Sequence, residues 1–332
     1  MSFAVLNGKI YYSPERVDEP YDPRADRLIA EAWTPLFDQL REQIEFITWL
    51  RFSEGGYQLR IACFADEQVL REFAVPLIRE RFAAYFAQNP ELCGEAQPLS
   101  AQAAILNRKL GLATDVSALA QPGSVELEIS HDLAIGRDHD SLEDLRHYYA
   151  LQTAIARSTL DVIPHTTDLV TRKIFSRIFL DELLHAGFLQ SIEISRLLER
   201  LRQTWVDYFE FPGEFIQQSD ALVAQSLERN WRFHQRPLAE RLSLLPEALH
   251  VVVQAGLEGL RRYAGPVIKR DQQQELAFSS YAALSALFHL THNRLSISIA
   301  EEAHLCSLLL SLERQRQQQP KQTLQQLLVN QY

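Results

Sequence analysis

Apolar residues in the first 130 positions alternate between two spacings. Lys9-Ile10-Tyr11-Tyr12, closed by Ser13-Pro14, predicts a strand ending at a turn. From Asp22 to Gln43 the apolar positions Leu28, Ile29, Ala32, Trp33, Leu36, Phe37 and Leu40 fall on a helical face, with Pro35 as a kink point. Two β runs follow, 44–52 and 57–64, joined by Ser53-Glu54-Gly55-Gly56, a hairpin signature. Asp66 is placed to cap a helix whose Val69, Leu70, Phe73, Leu77 and Phe82 share one face, up to a stop at Asn89-Pro90. A short helix is expected within 100–110. The strict alternation of Val125-Glu126-Leu127-Glu128-Ile129 predicts another strand.

From Ser141 onward the spacing is helical. Ser141 with Asp144 reads as a capping box opening a helix towards Ile163, and Thr167 and Asp168 cap the next, towards Gly187. Further helices are expected at 190–209, 214–231, 246–263, 274–292 and 299–318, the 246–263 helix with Pro246 in its first turn. Strands early and helices late predict an α+β fold: an antiparallel sheet in the N-terminal part, with a helix-rich C-terminal half packed against it. One domain is expected over residues 1–314, followed by a glutamine-rich tail at 315–332.

Composition narrows the class. The chain has 332 residues, 46% of them apolar and 23% charged, which excludes disordered and collagen-like proteins. A net charge of −10 argues against broad binding to nucleic acid or to anionic lipid. Cys63, Cys93 and Cys306 are odd in number and far apart, so neither a disulfide framework nor a cysteine zinc site is implied. With no basic-then-apolar N-terminus and no long apolar run, the expected location is the cytoplasm rather than a membrane.

Three stretches, in order, resemble the C-terminal elimination domain of lantibiotic dehydratases, which also occurs as the separate thiopeptide-type bacteriocin biosynthesis family. The first is Ile10-Tyr11-Tyr12 with the later run from Asp26 to Leu36. The second is Phe46-Ile47-Thr48-Trp49-Leu50-Arg51 leading to Gly56-Tyr57-Gln58-Leu59-Arg60-Ile61. The third and most specific runs from Leu287 through His289, His292, Asn293, Arg294 and Leu295, followed by Glu301-Glu302-Ala303. Members of the family either eliminate glutamate from glutamylated Ser or Thr of a ribosomal precursor peptide or join two dehydroalanines into a pyridine. The resemblance therefore implies a precursor peptide and a separate glutamylating subunit as partners, leaves room for a homodimer, and calls for no metal or other cofactor.

Elimination needs a base for the α-proton and cations for the developing enolate and departing carboxylate. The resemblance puts His289 in the first role and Arg60 in the second. Arg51, Trp49, Arg137, Asn293 and Arg294 are the expected substrate-binding residues. The family's second strand arginine is replaced by Ala62, with Arg51 or Arg137 as candidate substitutes. Trp33, Trp49, Trp205 and Trp231 read most simply as core anchors, with Trp49 also a candidate groove residue.

Three other readings stand beside elimination. One is a pyridine-forming cyclase and one a catalytically silent peptide binder. The third is a carboxylate-bridged di-metal bundle, suggested by acidic-x-x-His pairs such as Glu182/His185 and Glu301/His304, since residues three apart share a helix face.

Overall fold

The computed structural model describes residues 3–17, 21–135 and 137–318. β1 (Phe3–Tyr11) starts well before the predicted run, with Ala4, Leu6 and Ile10 buried on one face. β2 (Phe46–Phe52) and β3 (Gln58–Asp66) form the expected hairpin, and Gly55 and Gly56 in its turn take φ values of 69° and 132°. With β4 (Val125–Ser130) the described strands make a four-stranded antiparallel sheet in the order β2-β3-β1-β4.

Helices cover the face that carries Leu6, Ile10, Trp49, Leu59 and Ile61. α1 (Pro23–Arg27) and α2 (Thr34–Leu40) are joined by a π-turn at Leu28–Trp33. α3 (Glu67–Val69) and α4 (Val75–Gln88) are joined by another at Leu70–Ala74. Pro35 and Pro76 each stand just past one of these wide turns. Proline lacks an N–H and its ring crowds the carbonyl one turn earlier; the wider turn moves that carbonyl away, so the helix continues through Pro35. Asp66 caps α3 as predicted, accepting from Gln68 N at 3.0 Å, and Ser100 caps α5 (Ala101–Lys109).

The rest is helical: α6 (Leu142–Val162), α7 (Leu169–Leu184), α8 (Ser191–Tyr208), α9 (Phe215–His234), α10 (Leu238–Leu242), α11 (Glu247–Val267), α12 (Phe278–Arg294) and α13 (Ile299–Gln318). Ser141 and Asp168 cap α6 and α7 as read from the sequence; α10 was not foreseen. The boundary expected at 315 falls inside α13, and the remainder of the glutamine-rich tail lies outside the described residues.

Two cores meet on α6. Its Leu151, Ile155 and Val162 join the helical core with Phe179 and Leu257, while its Ala156 and Leu160, with Ile163 just past its end, join the sheet core with Trp33 and Trp49. Close approach of α11 depends on glycine: a Cβ at Gly259 would stand 2.9 Å from that of Ala154 on α6. No helix among the described residues is long and apolar enough to cross a membrane.

Candidate functional site

A cleft of about 650 Å³ opens where the hairpin end of the sheet meets the helical half. Its walls come from Tyr12, Asp22, Arg51 and Tyr57 on the sheet side, the inner face of α5, the end of α8 at Trp205, Tyr208 and Phe209, and α12 at His289 and Asn293. Three of the residues singled out in the sequence, Arg51, His289 and Asn293, line this one space.

His289 is held from behind. Its Nδ1 lies 3.2 Å from Oε2 of Glu302, leaving Nε2 for the cleft that the ring lines. Trp205 Nε1 donates to the other oxygen of Glu302 at 2.6 Å, and its ring centre is 4.4 Å from that of His289. His292 Nδ1 is 3.3 Å from the same Oε2, an ion-pair contact rather than an aligned hydrogen bond, and its Nε2 has no hydrogen-bond partner among the described residues. Glu302 is completely buried, which by itself would raise its pKa; the flanking His292 and His289 outweigh burial and bring it down to about 2. A buried carboxylate fixed by an indole thus orients an imidazole for proton transfer.

Arg51 is the cation on the opposite wall. Its Nη2 is paired with Asp26, its Nε donates to the carbonyl of Arg294 at 3.1 Å, and Asp26 also pairs with the buried Arg172. Asp22, in the same wall, accepts from the backbone N–H groups of Glu15, Arg24 and Ala25; burial raises its pKa nonetheless.

The other candidates have different places. Asn293 uses its whole carboxamide on the edge of β2, accepting from Arg51 N at 2.8 Å and donating to Arg51 O at 2.7 Å, as a neighbouring strand would. Arg294 is fully buried, bonded to Trp49 O at 2.7 Å and Thr48 Oγ1 at 2.6 Å; burial pushes its pKa down to about 9. The two residues fasten α12 to the sheet, Asn293 at the cleft wall and Arg294 behind it. Trp49 does not line a groove: it is fully buried, with Nε1 donating to Ala156 O at 3.2 Å.

Arg60 does not join His289. It points to the other face of the sheet, pairs with Glu54 and lies 4.4 Å over the Phe52 ring. Ala62, where a second arginine was looked for, packs against the apolar cluster of Val5, Phe46 and Phe64. Arg137 sits at a separate cavity of about 320 Å³ beside His139 and Lys269, bridged to Asp132 and Asp138.

The acidic-x-x-His pairs do not converge. Glu182 pairs with Arg241 and His185 with Glu313; Glu301 pairs with Lys173, and His304 bonds Ser219 at 2.8 Å. No group of three or more His, Cys, Asp or Glu among the described residues is arranged to hold a metal ion.

Sequence reasoning missed Glu302 and left Trp205 as a core anchor. A signal for Glu302 was present: it stands in the apolar stripe of Ile299, Ala303 and Cys306, where a carboxylate must find buried partners.

Comparison with known proteins bears on this arrangement. No curated protein matches the sequence. Among solved structures, the pyridine synthase TbtD from thiomuracin biosynthesis superposes with a TM-score of 0.59 at 15% identity, covering 94% of this chain and 97% of that one. The tRNA-dependent lantibiotic dehydratase MibB from Microbispora sp. 107891 superposes with a TM-score of 0.58 at 13% identity; the match covers 96% of this chain but only 29% of MibB. At these identities the likeness speaks to the fold. The family model for the lantibiotic biosynthesis dehydratase C-terminal region matches residues 6–312, and the chain belongs to that family.

Proposed function

We propose that the chain binds a ribosomal precursor peptide in this cleft and eliminates glutamate from glutamylated Ser or Thr, leaving a dehydroamino acid. The observation that carries the reading is His289, aligned by buried Glu302 and facing the cleft. Nε2 takes the Cα proton; the C–H electron pair becomes the Cα=Cβ bond, and the Cβ–O pair leaves with the carboxylate of glutamate. Arg51, a permanent cation on the same cleft, faces that departing charge. Glutamylation would come from a separate subunit in the cytoplasm. A homodimer belongs to the same proposal and is read by light scattering of the purified protein.

The direct test is to incubate the protein with a synthetic glutamyl-Ser peptide and follow its mass. Loss of glutamate is expected; an unchanged peptide at high enzyme concentration overturns the reading. A second reading, ring formation from two dehydroalanines, is favoured by the end-to-end match with TbtD. A peptide carrying two dehydroalanines distinguishes it, through appearance of a pyridine chromophore.

A further inference from the structure

We propose that Arg108 and Lys109 form a basic lip at the mouth of the cleft that receives an acidic segment of the substrate peptide, with Glu210 occupying that place until the peptide displaces it. The inference rests on the reading of the cleft as a peptide site.

The lip is carried on a fixed wall. α5 lines the cleft through Ser100, Ala103 and Leu106 and is tied at both ends to the β2–β3 connection. Ser100 N donates to the Tyr57 hydroxyl at 2.9 Å, and the buried Asn107 carboxamide accepts from Gly55 N at 3.0 Å and donates to Ser53 O at 2.8 Å. Just past this anchor, Arg108 and Lys109 reach across to the end of α8. Arg108 Nη2 is 3.1 Å from Glu210 Oε2, and Lys109 Nζ is 3.4 Å from Glu210 Oε1. Lys109 also bonds the Tyr208 carbonyl and lies 4.7 Å over the Tyr208 ring.

Glu210 is an unusual occupant. Its φ of 56° lies in the left-handed region, which glycine or asparagine fills at less cost. The strained backbone delivers a carboxylate to the two cations. That contact is exchangeable, because the side chains of Arg108 and Glu210 are 61% and 53% exposed and such ion pairs hold little net free energy. An incoming Asp or Glu can therefore take over the two cations without breaking anything the fold depends on.

The lip also leads to the chemistry. From Lys109 over Tyr208, rings follow one another: Tyr208 to Phe209 at 5.0 Å, Phe209 to Trp205 at 6.3 Å, Trp205 to His289 at 4.4 Å. A peptide lying along this track has one end at the cations and its reacting residue at the imidazole. In a chain of net charge −10, a cationic lip at the entrance marks a local preference for anionic side chains.

The test uses two fluorescein-labelled synthetic peptides with the same Ser-centred sequence, one carrying three glutamates upstream and the other three glutamines, read by anisotropy at low salt. The wild type binds the glutamate peptide more tightly. Arg108→Ala and Lys109→Ala each weaken that binding about twofold to fivefold, Glu210→Gln strengthens it by a similar factor, and salt erodes the difference. A merely damaged lip would not bind more tightly, so the opposite sign of Glu210→Gln separates displacement from structural loss. Equal affinity for both peptides, or a Glu210→Gln variant that does not gain, overturns the lip and leaves the cleft reading standing. Binding of neither peptide overturns both.

Discussion

Two buried carboxylates in this protein are each surrounded by histidine, yet they do opposite work. Asp181 on α7 is sealed: His234 Nδ1 at 2.8 Å, Arg241 at 3.0 Å and Arg316 at 3.1 Å close on it, tying α9, α10 and the end of α13 to α7. Glu302 on α13 meets no arginine; its partners are Trp205 and two histidines, one of which opens on the cleft. Guanidinium groups saturate a carboxylate in fixed geometry and stay charged at any working pH. An imidazole leaves one nitrogen over and can pass a proton on. The same buried negative charge therefore acts as a fastening in one place and as the support for a proton carrier in the other.

The sharpest way to break this comparison is to remove one member from each cluster. His289→Ala is expected to lower the elimination rate by about 10²- to 10⁴-fold, the range for loss of a general base, with the protein still folded and a smaller loss of stability than in Asp181→Asn, because Glu302 keeps Trp205 and His292. Asp181→Asn should do the reverse. Stripping the charge from a carboxylate that faces His234, Arg241 and Arg316 costs about 3–5 kcal/mol of stability, read by urea unfolding, while the rate per folded molecule holds. If His289→Ala unfolds the protein or Asp181→Asn silences it at full stability, the assignment of roles is wrong.

A smaller effect follows from pH. The pKa of Glu302 is depressed from its ordinary 4.5 to about 2, and that of Asp181 is also depressed, burial being outweighed by their cationic partners. A depressed carboxyl stabilises the fold at pH values above its unfolded pKa, and that contribution is lost as pH falls through the folded value. The share of the unfolding free energy held by these two carboxyls should thus be steady as pH is lowered to about 4.5 and decline towards pH 2. In Asp181→Asn the decline should be shallower, because one of the two linked groups is gone. An unchanged slope in the variant would remove Asp181 from the account.

Much of the fold could be read in advance because its signals are local. Asp66, Ser141 and Asp168 each accept the backbone N–H that their position promised, and the Gly55-Gly56 turn closes its hairpin. Long-range placement could not be read this way. Taking the turn as four residues, 53–56, would pair Phe52 with Tyr57 and set Arg60 opposite Trp49, on the face of Arg51. The strands instead pair Phe52 with Gln58, so Arg60 stands opposite Leu50 and points away. One residue of register moves every side chain to the other face. Glu302 was hidden for a related reason: His289 lies on the preceding helix, and only the packing of α12 on α13 brings them together.

That one-residue difference yields the smallest expected effect, and it sharpens the account of the two arginines. Arg60 makes a partly exposed pair with Glu54 on the face away from the cleft, and such a pair contributes about 0–1 kcal/mol. Arg60→Ala should therefore leave the elimination rate within about twofold of wild type and cost no more stability than that pair. Arg51→Ala, on the cleft wall, should slow turnover clearly, and it loosens the joint as well because Asp26 keeps only Arg172. The two variants measured side by side on the glutamyl-Ser peptide decide which strand arginine serves the reaction. A large loss in Arg60→Ala with an intact fold would move the chemistry to the other face of the sheet, and with it the role assigned to the cleft.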